Sequence, residues 1–153
     1  MKKLPACLVC AGALLTAMPA SAQFAKPEDA IKYRQSAMYV MGFNANRLGA
    51  MVNNKAPFDA KIAAESAANI EYLSKLPWIG YVEGTGSDKG KRTKAKPVIW
   101  QQPDKFRSAS QKMQEEAIKL NAVARSGDLE QIKSSFGALG RSCKACHDDF
   151  REE

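Results

Sequence analysis

Apolar positions recur every three or four residues along four stretches of the chain, the spacing of one face of an α-helix. The first stretch runs from about Pro27 to Val52. Ile31, Met38, Ala45 and Val52 form one row at seven-residue intervals, and Arg34, Met41 and Leu48 form a second, together the seam of a bundled helix. Pro27 suits the first helical position, and Glu28 and Asp29 suit the positive end of the helix dipole. The second stretch runs from about Asp59, an N-cap residue, to Leu76, where Pro77 stops it. Its seam is Ile62, Ser66, Asn69, Leu73 and Leu76. The third begins near Pro103 and ends near Gly127, with Phe106, Met113 and Leu120 in one row and Ser110, Ala117 and Ala124 in the other. The fourth starts at Asp128, which pairs with Gln131 as a capping box. Its seam is Leu129, Ile132, Phe136, Leu139, Cys143, Cys146 and Phe150.

No strand pattern competes, so the fold class is all-α. The first and third connections are short, which makes sequence neighbours antiparallel, and the arrangement predicted is an antiparallel four-helix bundle. The middle connection, from Trp78 to Gln102, is long and rich in Gly, Lys and Pro. Such bundles tolerate a long connection, and Trp78 and Trp100 are expected to pack it onto the helices. Within it, Lys89-Gly90-Lys91-Arg92-Thr93-Lys94-Ala95-Lys96 reads most simply as a solvated loop. A docking patch for an acidic partner is the second reading.

The N-terminus is a different kind of segment. Lys2 and Lys3 precede an uncharged, mostly apolar run from Leu4 to Met18, and Ala20-Ser21-Ala22 is a small-residue cleavage site. This is the organisation of a secretory signal peptide, too short to span a bilayer. The expected division is therefore a signal at residues 1–22 and a single domain at 23–153, located in the periplasm with no membrane attachment once the signal is removed. Cleavage also takes Cys7 and Cys10, leaving Cys143 and Cys146 of the four cysteines. The formal charge of +7 falls by two with Lys2 and Lys3. No basic stripe interleaved with aromatics is present, so nucleic acid is not an expected partner.

The two remaining cysteines stand in Cys143-Lys144-Ala145-Cys146-His147, the C-x-x-C-H pattern of covalent c-type haem attachment. Two thiols must reach two vinyl groups on one porphyrin edge, and the next residue must bring an imidazole nitrogen to the iron. Residues three and four apart share a helix face, so Cys143, Cys146 and His147 converge. An exported destination fits, since such haems are attached outside the cytoplasm. Zinc wants four ligands, and past the signal the chain has two Cys and one His. A disulfide between Cys143 and Cys146 would strain a helix. The cofactor expected is one covalent haem c, with Cys143 and Cys146 as attachment points and His147 as axial iron ligand. The cysteines lie on the seam of the last helix, so the haem enters the bundle from that helix. Gly137 and Gly140 leave room there for the haem edge or for ordinary helix packing.

The chain also resembles the cytochromes c′ and their low-spin relatives over nearly its whole length past the signal. The resemblance is carried by Tyr33-Arg34-Gln35-Ser36-Ala37, Ala56-Pro57-Phe58-Asp59, Leu76-Pro77-Trp78, Pro97-Val98-Ile99-Trp100 and Cys143-Lys144-Ala145-Cys146-His147-Asp148-Asp149-Phe150-Arg151. Cytochrome c′ is itself a type example of the four-helix bundle. The resemblance implies electron transport with redox partner proteins, or binding of a small gas such as nitric oxide or carbon monoxide. It also implies a homodimer through the first helix, which presents Tyr39 and Phe43 away from its seam. Arg34 carries over as a partner of a haem propionate; independently, an arginine on an apolar seam needs a buried anion or must snorkel to the edge. Gln35 carries over as a weaker haem contact. Arg151, one turn beyond His147, matches an arginine beside the axial histidine, and would equally cap the helix dipole.

Met38 decides between the two functions. One turn past Arg34, it falls near the iron on the side opposite His147. Gas-binding members carry a bulky apolar residue at the matching position, and low-spin relatives carry a methionine that ligates. Either Met38 is core, leaving a five-coordinate iron open to gas, or its sulfur is the sixth ligand of an electron carrier. No general acid or base is visible beside the site, and an enzyme is not expected.

Overall fold

The computed structural model describes residues 23–153; the signal expected at residues 1–22, with Cys7 and Cys10, lies outside them. Helix α1 spans Pro27–Val52, α2 Ala60–Leu73, α3 the single turn Val98–Gln101, α4 Pro103–Ala124 and α5 Leu129–Phe150. The four long helices make the predicted four-helix bundle, with α1 packed on α2, α2 on α4 and α4 on α5. Among the described residues, no helix is long and apolar enough to cross a membrane.

The helix starts follow local chemistry. The Asp59 carboxylate accepts from the Ile62 amide at 2.9 Å, and the Asp128 carboxylate accepts from the Gln131 amide at 3.0 Å. Gln131 returns a bond to the Asp128 side chain, at 2.8 Å, in place of the backbone amide that a capping box uses. The core joins Met41, Leu48, Met51 and Val52 of α1 to Ala63, Ala67 and Ile70 of α2, Met113, Ala117, Leu120 and Ala124 of α4, and Ile132 and Leu139 of α5.

Helix α2 departs from its predicted seam. The buried face is Ala63, Ser66, Ala67 and Ile70, with Asn69 exposed and Ile62 and Leu73 half-buried. The helix also ends at Leu73, three residues before Leu76. Alanines four apart present a flat surface that lets a neighbouring helix approach closely, and heptad counting on the larger residues had turned the face by one position.

The close helix approaches lie at glycines other than Gly137 and Gly140. Space around Gly140 is open, and a Cβ on Gly137 would meet only the Arg141 side chain. A Cβ on Gly49, in α1, would lie 3.1 Å from the Phe136 ring of α5. On Gly80 it would lie 2.7 Å from the Ala30 carbonyl and 2.9 Å from Arg34 Cβ. The first glycine closes α1 onto α5 at one end of the bundle; the second seats the long connection on α1 at the other.

That connection is more ordered than a solvated loop. It holds two short 3₁₀ turns, Pro77–Gly80 and Ser87–Lys89, and the turn α3. Both tryptophans pack it as expected: Trp78 donates to the Ser74 carbonyl at 2.6 Å and Trp100 to the Tyr81 carbonyl at 3.1 Å. Lys89, Arg92 and Lys94 are exposed, but Ala95 is buried and bridges to Arg151. The Lys96 amide donates to the Phe150 carbonyl at 3.0 Å and the Glu152 amide to the Lys94 carbonyl at 2.8 Å. The segment is a strap tying α1 to the end of α5.

Candidate functional site

Helices α1 and α5 touch least among the bundle's neighbouring pairs. Beyond the Gly49–Phe136 contact they part around a cavity of about 690 Å³, lined by Arg34, Gln35, Met38, Met41 and Ala45 of α1 and by Leu139, Cys143, Cys146 and His147 of α5. Ile70, Phe106 and Met113 complete the helical walls, and Tyr81, Thr93 and Lys94 of the strap, with Arg151, complete the rim. The size is that of a small-molecule or cofactor site, roughly 300–1,000 Å³. The lining is mostly apolar, with polar groups contributed by α1 (Arg34, Gln35, Asn46), by the strap and by the C-terminal end of α5.

The spacing of Cys143, Cys146 and His147 puts all three on the cavity wall, as helical periodicity requires. Both cysteines are free and half-buried. Burial pushes both thiols up, Cys146 to about 11 with Cys143 and Asp149 adding to the effect. His147 is exposed at the cavity rim. Loss of solvation and the nearby Arg151 hold its imidazole below the usual range, against Asp148, which favours the neutral ring that a metal ligand needs. The site therefore offers two thiols and one imidazole on one wall of a mostly apolar cavity, a fit to a cofactor joined by one edge.

The cytochrome C′ family model matches residues 29–151. This chain belongs to the cytochrome c′ family. It is 47% identical over 131 residues to the cytochrome c′ of Rubrivivax gelatinosus, covering 86% of this chain and 100% of that protein. The crystal structure of that cytochrome superposes with a TM-score of 0.79, covering 85% of this chain and 100% of the other. A nitric oxide complex of a leucine-to-alanine variant of Alcaligenes xylosoxidans cytochrome c prime matches at a TM-score of 0.78 and 40% identity, over 86% of this chain and 99% of that one. A cytochrome c-554 of Cereibacter sphaeroides is 32% identical over 142 residues, 91% of this chain and 92% of that protein. Proteins of the cytochrome c′ family carry covalently attached haem c, and this chain is a haem c protein.

The remaining predicted residues fall around the same cytochrome c′ cavity, with one surprise. Met38 is half-buried in the α1 wall. Gln35 is exposed at the rim and donates to the Arg92 carbonyl at 3.0 Å. Arg151 ends the helix in extended backbone, its amide donating to the His147 carbonyl at 3.0 Å; it continues along the cavity but not along the helix. Arg34 does not snorkel, being only 2% exposed. Its fork is already engaged by neutral acceptors of the strap: Nη1 donates to the Gly80 carbonyl at 2.8 Å and Thr85 Oγ1 at 2.6 Å, Nη2 to the Thr85 carbonyl at 2.6 Å and Thr93 Oγ1 at 2.9 Å. No ion pair to Arg34 occurs among the described residues. Burial lowers its pKa, and its guanidinium lies 4.6 Å over the Tyr81 ring.

Gly80, Tyr81, Thr85 and Thr93 are the residues around Arg34 that sequence reading missed. Their only sequence signal is the polar seam position of Arg34, which requires acceptors from somewhere but does not say where.

Proposed function

We propose that this protein is an exported cytochrome of the c′ type whose haem is joined through Cys143 and Cys146, with His147 as axial ligand, and which binds a small gas at an iron left five-coordinate beside Met38. The observation that carries this reading is the placement of Cys143, Cys146 and His147 on one wall of a 690 Å³ apolar cavity. When bound, the haem supplies an iron that changes oxidation state and accepts a diatomic ligand. The chain's own part is to bind, orient and shield. Helix α5 fixes the cofactor's edge, and neutral His147 offers its lone pair. Met38, Met41, Ile70 and Met113 keep water out of the slot.

Residues 1–22 act as the export signal and residues 23–153 as the functional domain, in the periplasm. Tyr39 and Phe43, 77% and 62% exposed with Val40 beside them, form an apolar stretch outside α1, suited to a second copy as the family resemblance implies. A second reading has its own support: a methionine in the cavity wall suits a His147/Met38-ligated electron carrier serving redox partner proteins.

Titration with gas separates the two readings. The ferrous protein is expected to bind carbon monoxide or nitric oxide at one per chain, followed by visible absorption. Failure to bind carbon monoxide at saturating pressure would establish the electron-carrier reading instead.

A further inference from the structure

Tyr81 sits at the join of strap and cavity and is held there from several sides. Its ring stacks on Trp78 at 6.1 Å and meets Phe106 edge-on at 4.8 Å. Its carbonyl accepts from Trp100, and Arg34 lies over its face. The ring is thus fixed before anything binds. Its hydroxyl is the loose end. None of the described residues accepts from or donates to it, although buried tyrosine hydroxyls usually find a partner. Nor is it sealed away, since among the described residues Ser66 Oγ is the one fully enclosed polar side-chain atom lacking a partner. The Tyr81 hydroxyl thus keeps some exposure, on a residue that lines the cavity.

The electrostatics of this corner call for an anion. Arg34 is a buried cation with neutral hydrogen-bond partners and no carboxylate. A buried charge without a counter-charge is costly, and the cavity is the open direction. The groups surrounding the Tyr81 phenol are Arg34 from α1 and Cys146 and Arg151 from the end of α5, with Lys94 and His147 also on the lining; α4 contributes apolar Phe106 and Met113. Burial raises the phenol to about 12 against the pull of Arg34, so it stays protonated and can donate. With Arg34's fork taken by the strap, a carboxylate drawn to this corner needs a donor, and Tyr81 has one free.

We infer that Tyr81 is a haem-contacting residue whose hydroxyl donates a hydrogen bond to a haem carboxylate at the Arg34 corner of the cavity. The inference rests on the haem reading above. It divides the work at this corner: Arg34 supplies charge and holds the strap, and Tyr81 supplies the directed bond.

Resonance Raman spectra of the ferric holoprotein test it, in H₂O and D₂O, for wild type and Tyr81→Phe, with covalent haem measured on the same samples. Phenylalanine keeps the ring packing and removes only the hydroxyl. In wild type the propionate bending band should shift on deuteration, and in Tyr81→Phe that shift should be lost with haem content unchanged. A wild-type band insensitive to deuterium, or a shift that persists in Tyr81→Phe, overturns the role of Tyr81 while leaving the haem site standing. Absence of covalent haem from the matured wild-type protein overturns the haem reading and this inference with it.

Discussion

Matured protein carrying Cys143→Ala and Cys146→Ala together is expected to lose all haem that survives acid-acetone extraction, falling from one per chain to none. The two cysteines are the free thiols among the described residues, and both stand half-buried on the cavity wall. Each single replacement should leave one thioether and a weakened but measurable covalent haem. His147 remains in all three variants, so any residual haem held by the iron–imidazole bond is washed out by acid while a thioether is not. Retention of acid-stable haem in the double variant would remove Cys143 and Cys146 from the attachment site.

Arg34→Ala is expected to destabilise the holoprotein by roughly 3–5 kcal/mol, because several buried acceptors lose a charged donor at about 1–3 kcal/mol for each group left unsatisfied. The loss is not a matter of one bond. The Gly80 and Thr85 carbonyls and the Thr85 and Thr93 hydroxyls would all lose a donor, and Thr85 is wholly buried. Arg34→Lys should recover less than half, because one ammonium cannot span acceptors that a planar fork reaches in two directions. Denaturant unfolding followed by far-ultraviolet circular dichroism measures both variants. A loss below about 1 kcal/mol, the scale of an ordinary single hydrogen bond, would mean that the strap holds without Arg34.

The parts of this fold legible in sequence were those where large side chains repeat on one face. Both ends of helix α1 are legible in the sequence, because Pro27 and the acidic pair after it mark its start and the apolar row from Ile31 runs to Val52. Four of its seam positions, Arg34, Met38, Met41 and Ala45, line the cavity, and Met38 and Ala45 stand half-open there. Helix α4 was equally clear. In α2 the contact is made by alanines, whose small size is the reason they fit and also the reason a hydrophobic pattern underweights them. The haem motif was legible because three residue types at fixed spacing have few other uses.

What sequence could not convey was pairing across the long connection. Arg34 was recognised as a charge needing a partner, but the partners lie 46 to 59 positions away and are neutral. Backbone carbonyls carry no side-chain signature at all. Likewise Gly80 matters because Ala30 and Arg34 press against it, a contact that no local pattern announces.

Whether the iron is open on the Met38 side is read from the ferric absorption spectrum of the purified wild-type protein. A high-spin, five-coordinate spectrum with no far-red sulfur-to-iron charge-transfer band is expected, changing little in Met38→Ala. A far-red band present in wild type and lost in Met38→Ala would contradict it and make Met38 the sixth ligand.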